Sequence, residues 1–162
     1  MPLLKNGKLI DDPWAHVADE VAIPASGPVI VGLKRWRAER KSLLKRNDSV
    51  GVRLQSDHTA GDVADDLEHL GVVAFAFPVF RDGRAYTNAR RLRERHGYTG
   101  EIRAIGNVLR DQYLFMLRCG FDALEVKEGE TERDWEKAVR AISVFYQPAA
   151  DGQVTALSLR HR

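Results

Sequence analysis

Residues 71–78 read Gly71-Val72-Val73-Ala74-Phe75-Ala76-Phe77-Pro78, an unbroken apolar run opened by glycine and stopped by proline. A run that does not alternate is read as a strand buried on both faces, the habit of parallel sheets. The segments on either side fit that reading. Upstream, the segment from about Ala60 to Leu70 carries Val63, Leu67 and Leu70 at helical spacing, with Thr59 as its N-cap and Gly71 as its terminator. Downstream, about Arg84 to His96 places Ala85, Ala89 and Leu92 on one face and stops at Gly97.

The same unit repeats outward. Val29–Leu33 is a strand, followed by a helix from about Lys34 to Arg46 with Trp36, Leu43 and Leu44 on one face. Val50–Leu54 is the next strand. Ile102–Ile105 is the fourth, followed by a helix over Val108–Arg118 that Asn107 caps and Gly120 ends. Ala123–Val126 is the fifth. Thr131-Glu132-Arg133-Asp134 resembles a capping box that opens a helix with Trp135, Ala138, Val139 and Ile142 inward. Val144–Tyr146 offers a sixth strand, and Gly152–Arg162 a short strand or tail. Before all of these, Asn6-Gly7 between two short apolar runs is a hairpin signal, and Pro13, Pro24 and Pro28 interrupt the stretch between that hairpin and the first strand. The expected organisation is a hairpin arm and linker (1–27), an α/β domain (28–150) and a C-terminal tail (151–162).

Strands alternating with helices give an α/β fold with a mostly parallel sheet of about five βα units. A closed eight-fold barrel needs about 200 or more residues, and the chain has 162. An incomplete barrel and a flavodoxin-like sandwich both fit. Arg53, Arg103 and Glu125 stand within strands, where a sheet covered on both faces would bury them at a cost. A barrel-like sheet gives them a concave side; an Arg103–Glu125 pair across adjacent strands is the plainer account.

Composition excludes several classes. Hydrophobic residues are 44% and charged residues 30%, the balance of a soluble globular chain, and the net charge of +2 is too small to imply nucleic acid. No stretch approaches the ~20 apolar residues of a membrane span. Cys119 is the only cysteine, so an internal disulfide and an all-cysteine cluster are excluded, and a reducing cytoplasm is the expected location. No phosphate loop, dinucleotide fingerprint or nucleophile elbow occurs, so no cofactor is recognisable. The five histidines are scattered, and no metal site is expected.

In parallel α/β folds ligands bind beyond the carboxyl ends of the strands. After the third strand, Arg81 and Arg84 flank Asp82-Gly83 beside a helix start, with Tyr86 and Asn88 as neutral donors. After the fourth, Gly106-Asn107 leads to Arg110 and Asp111. With Arg103, these guanidiniums and Asn107 form a candidate anion site, since planar donors and helix starts suit carboxylate, sulfate or phosphate. Asp82, Asp111, Glu125 and Lys127 are candidates for the rest of a polar pocket. Solvated turns, with Asp82 pairing one arginine, explain the same residues more simply. The first helix is strongly basic, and Arg35, Arg37, Arg40 and Lys41 form a candidate docking face for an acidic partner; ordinary solvation is the alternative.

Several segments also resemble a known family. They are Gly71–Pro78, Phe80-Arg81-Asp82-Gly83-Arg84-Ala85-Tyr86-Thr87, Ala89-Arg90-Arg91-Leu92-Arg93, Gly100-Glu101-Ile102-Arg103-Ala104-Ile105-Gly106, Leu109-Arg110-Asp111-Gln112 and Cys119-Gly120-Phe121-Asp122. Together they resemble a proteobacterial family of unknown function encoded in sulfate-assimilation operons beside the sulfite reductase haemoprotein, often labelled as oxidoreductases of sulfite reduction. The resemblance is most specific over about residues 70–126. It implies a pathway, with the haemoprotein and an acidic electron donor such as a ferredoxin as partners, and it transfers no catalytic residue. An accessory role fits a chain without a redox-cofactor motif. The alternative is a small enzyme or sensor that binds sulfite, sulfate or a phosphate compound.

Overall fold

The computed structural model describes residues 2–79, 81–140 and 142–160. Phe80 of the resembling segment and His161 and Arg162 of the tail lie outside them. One eight-stranded sheet holds the chain together. Its strands are β1 (Leu3–Lys5), β2 (Lys8–Ile10), β3 (Ala15–His16), β4 (Val29–Gly32), β5 (Val50–Leu54), β6 (Leu70–Phe77), β7 (Glu101–Gly106) and β8 (Ala123–Glu125). The helices are α1 (Leu33–Leu43), α2 (Arg84–Glu94), α3 (Tyr113–Arg118), α4 (Glu132–Val139) and α5 (Ala156–Arg160).

The spatial order is β2-β1-β8-β7-β6-β5-β4-β3. From β4 to β8 each new strand is added on the same side of its predecessor and runs parallel to it. Constant direction with right-handed crossovers puts every helix on one face, whereas a flavodoxin-like sandwich needs a reversal. The packing agrees. Trp36, Ala89, Leu92, Met116 and Trp135 from four helices share one core with Val52, Val73, Phe75, Ala104 and Leu124 of the sheet. The other face holds Ile30, Val72, Ala74 and Ile105, with Trp14 and Ala76 against them, and none of these comes from a helix. The fold is an α/β half-barrel.

The N-terminal arm completes it. Asn6 and Gly7 both have positive φ, 50° and 81°, the backbone of a two-residue hairpin turn. β1 then pairs antiparallel with β8, while β3 pairs parallel with β4 at the opposite edge. The chain between β2 and β3 therefore crosses the open, concave side of the half-barrel. Trp14 travels with it and lies on the sheet. A Cβ at position 71 would meet Trp14 Cη2 at 3.0 Å, so Gly71 is a point of close approach.

Several boundaries differ from expectation. Residues 60–69 form a 3-10 helix, and Leu70 and Gly71 already belong to β6; Gly71 serves Trp14 and does not end a helix. Thr59 is the N-cap, with its N–H donating to Asp62 Oδ2 at 2.7 Å. Asn107 is exposed and caps nothing: its N–H donates to Phe77 O at 2.8 Å, and a short 3-10 turn at Arg110–Gln112 precedes α3. α4 opens after Thr131 but stops at Val139, which leaves Ile142 55% exposed instead of inward. The sixth strand is absent among the described residues, where residues 144–146 offer a single bridge, Phe145 to Thr155. The tail is helical over Ala156–Arg160. No helix among the described residues is long and apolar enough to cross a membrane.

Candidate functional site

Parallel registers sort the concave side chains into layers. Arg53 is level with Ala74, Arg103 and Ala123. One step towards the carboxyl ends, Ala76 is level with Ile105, and Glu125 stands two residues beyond Ala123. Above these layers lies a hollow of about 1110 Å³. β5 to β8 and the bends after them give it Arg53, Gln55, Phe77, Pro78, Ile105 and Glu125. The arm supplies Asp11, Asp12, Trp14 and His16, and the loop after β8 supplies Glu128 and Glu130. Its place at the strand carboxyl ends is that of ligand sites in related architectures.

Charge organises the wall. Arg103 is fully buried. Its Nε donates to Glu101 Oε1 at 2.7 Å and its Nη1 to Asp12 Oδ2 at 2.6 Å. Glu101 also meets Lys5 Nζ at 2.7 Å. Glu125 Oε1 stands 2.6 Å from His16 Nε2 and 3.9 Å from Arg103 Nη1. A contact therefore joins β3 at one edge of the sheet to β8 near the other, over the concave face. Arg53 Nε and Arg103 Nη2 are buried without a hydrogen-bond partner. Arg53 lines the hollow, whereas Arg103 lies beneath it and is tied to Glu101 and Asp12.

The residues singled out in the sequence are distributed unevenly. The Asp-Gly and Gly-Asn bends do lie side by side, because Asn107 N–H bonds Phe77 O. Their guanidiniums, however, are matched by neighbouring acids. Arg84 is 61% exposed and pairs with Asp82 at 2.7 Å, which holds the Asp82 carboxyl far below the ordinary carboxylate range. Arg110 meets Glu130 at 2.8 Å and Asp134 at 3.8 Å. Arg81, Asp111 and Lys127 are exposed. Asn88 is buried; its Oδ1 accepts from Ala60 N at 3.1 Å and its Nδ2 donates to His58 O at 3.3 Å, a clamp between α2 and the 3-10 helix. Tyr86 packs against Phe77, Phe115 and Phe121, and burial pushes its hydroxyl up to about 12. Of the candidates, Arg103 and Glu125 take part in the concave network. The plain Arg103–Glu125 pair becomes a wider set in which Glu101 and Asp12 are the closer partners.

The basic face of α1 is similarly tied. Arg35 pairs with Glu39 at 3.0 Å and donates to Ala18 O and Val21 O, Arg37 pairs with Asp62 at 2.6 Å, and Arg40 pairs with Asp66 at 2.6 Å. Lys41 is exposed, as are Lys34 and Lys45. Three of the four docking candidates therefore fasten α1 to the arm and the 3-10 helix.

Asp12, Trp14, His16 and Gln55 escaped the sequence reading. The first three lie in a proline-broken stretch with no periodicity, and only the crossing of the arm brings them to β8. Cys119 is buried, and burial pushes its thiol up to about 11, against the pull of Arg90 and Arg118. From the ordinary 9.0 this lowers the thiolate fraction at neutral pH about a hundredfold. Iodoacetamide is therefore expected to label the folded protein at least about a hundredfold more slowly than the urea-unfolded chain. Equal rates would show an open, ionised thiol.

No curated protein and no solved structure matches the chain. The model of a bacterial protein family of unknown function (DUF934) matches residues 51–157, a span that takes in β5 to β8, and the chain belongs to that family.

Proposed function

We propose that the protein is an accessory of assimilatory sulfite reduction, acting with the sulfite reductase haemoprotein, and that the concave hollow is its ligand site. The pathway comes from the resemblance over residues 70–126. One observation joins it to a site: the resembling segments build the ends of β6 and β7, and so Phe77, Pro78 and Ile105 of the hollow's wall. A sulfur oxyanion would find the Arg53 guanidinium and Gln55 at that wall. An electron carrier would need a redox group, for which the sequence shows no motif. The exposed Lys34, Lys41 and Lys45 remain for an acidic donor, whereas the arginines of α1 hold the fold.

The test combines genetics with binding. A deletion strain is expected to grow poorly on sulfate or sulfite as sole sulfur source and normally on cysteine. Wild-type growth on all three would remove the pathway. On purified protein, sulfite near a hundred times its Kd would contribute about 2.7 kcal/mol, a rise in Tm of roughly 5–10 °C. Arg53→Ala should abolish that rise. If no sulfur oxyanion moves Tm while the deletion phenotype stands, the hollow is not the oxyanion site and docking alone carries the role.

A further inference from the structure

We infer that Asp12, His16 and Glu125 form a divalent metal site on the wall of the hollow, suited to a first-row ion such as Zn²⁺. The histidines, scattered in sequence, give no sign of it; the strap crossing from β2 to β3 carries two of the three residues to the end of β8. One ligand atom from each of Asp12, His16 and Glu125 lies within 4.8 Å of the other two. His16 Nε2 is 2.6 Å from Glu125 Oε1 and 3.9 Å from Asp12 Oδ2. An ion about 2.0–2.2 Å from each donor needs donor pairs about 3–3.5 Å apart. Binding an ion requires the first pair to open and the second to close by less than about 1 Å each.

Three further features point to a cation. Both carboxylates are 13% exposed at the side chain, and the guanidinium near both, Arg103 at 2.6 Å from Asp12 and 3.9 Å from Glu125, is shared with Glu101, so the cluster holds more negative than positive charge. Glu125 Oε1 is buried with His16 Nε2 2.6 Å away, the pair of donors an ion would bridge. Asp11, Glu128 and Glu130 follow the arm and β8 into the same lining, so the field around Asp12 and Glu125 favours positive ions, while Arg53 and Gln55 come from β5 and the bend after it.

The surroundings match a coordinating set. Asp12 is held from behind: its Oδ2 accepts from buried Arg103, and its Oδ1 accepts from Trp14 N–H at 3.1 Å. Such outer partners orient a ligand carboxylate before the ion arrives. One imidazole and two carboxylates suit zinc, manganese or iron(II) more than calcium, which takes an all-oxygen shell. Three protein donors leave at least one position open. That position faces the hollow, because all three residues line it.

The site stands independently of the sulfite reading and is tested without it. The full chain, stripped with a chelator, is titrated with zinc chloride by calorimetry and with cobalt(II) chloride by visible absorption. Saturation at one ion per chain is expected, with cobalt d–d bands that zinc abolishes. His16→Gln and Glu125→Gln should each weaken zinc at least about tenfold, by the scale of metal-site substitutions. His96→Gln, exposed just beyond the end of α2 and outside the hollow, should leave affinity unchanged. Circular dichroism identifies any variant that unfolds, and paramagnetic broadening of the His16 imidazole by cobalt in the wild-type chain then decides without it. No saturable binding, undiminished affinity in both folded variants, or an unbroadened His16 signal would each overturn the site.

Discussion

Arg103→Met unfolds the protein at a Tm lower by roughly 6–20 °C. Arg103 lies under the arm with its side chain fully out of water, and Glu101 and Asp12 both direct carboxylate oxygens at it. Methionine fills much of the space but leaves those carboxylates facing each other without a cation. Removing one partner of a buried ionic set costs about 3–5 kcal/mol, and each kcal/mol moves Tm by about 2–4 °C in a chain of this size. Lys5 relieves part of the charge on Glu101 at 2.7 Å and sets a limit to the loss. The mechanism predicts its own rescue. Combining Arg103→Met with Asp12→Asn and Glu101→Gln should recover at least half of the lost Tm, because the two nearest carboxylates are then neutral, Glu125 keeps His16 at 2.6 Å and Lys5 is solvated. A single variant with wild-type Tm, or a triple variant no better than the single, would show that packing and not charge holds the arm to the barrel.

Trp36→Ala should be comparably severe, at about 3–5 kcal/mol for a buried aromatic. The indole is 1% exposed between α1 and the sheet, and its Nε1 donates to Asp66 Oδ2 at 2.6 Å. Arg40 Nε meets the other oxygen of Asp66 at 2.6 Å. Trp36→Phe separates the two contributions. It keeps most of the ring but removes one donor from a largely buried carboxylate, a loss of about 1.5–3 kcal/mol for a charged hydrogen bond. Burial pushes the Asp66 carboxyl up, yet the Arg40 and Trp36 hydrogen bonds outweigh it and hold the group below its ordinary 3.8. A depressed carboxyl stabilises the fold above its unfolded value and loses that contribution as pH falls through the folded one. The difference between wild type and Trp36→Phe should therefore be full near neutral pH and narrow as pH drops below about 3.8. Urea titrations at pH 7 and pH 3 measure it; a difference that does not change would remove Asp66 from the account.

These two side chains also show how far local reading reaches. Trp36 was legible because a helix repeats: positions 36 and 43 fall on one face whatever that face packs against, and both are buried. Arg103 was legible only as an anomaly, a charge inside an apolar strand. Its partners come from positions 12 and 101, and no spacing rule links residues 91 apart. The arginines of α1 and of the two bends read as available donors because a sequence shows charges without their neighbours. Asp62, Asp66, Asp82 and Glu130 turn most of them into internal ties.

By itself, the sequence determined the alternation of strands and helices, the doubly buried run at 72–77, the hairpin at Asn6-Gly7 and the inward face of each main helix. All of these follow from periodicity and turn chemistry, which act over a few residues. Tertiary structure alone decided that the strands add in one direction, so that the sheet curls and one face is left without helices. It alone drew the arm across that face, setting Asp12 and His16 beside Glu125. Short-range propensity cannot specify such a meeting, because its free energy comes from contacts that exist only after the sheet has closed around them.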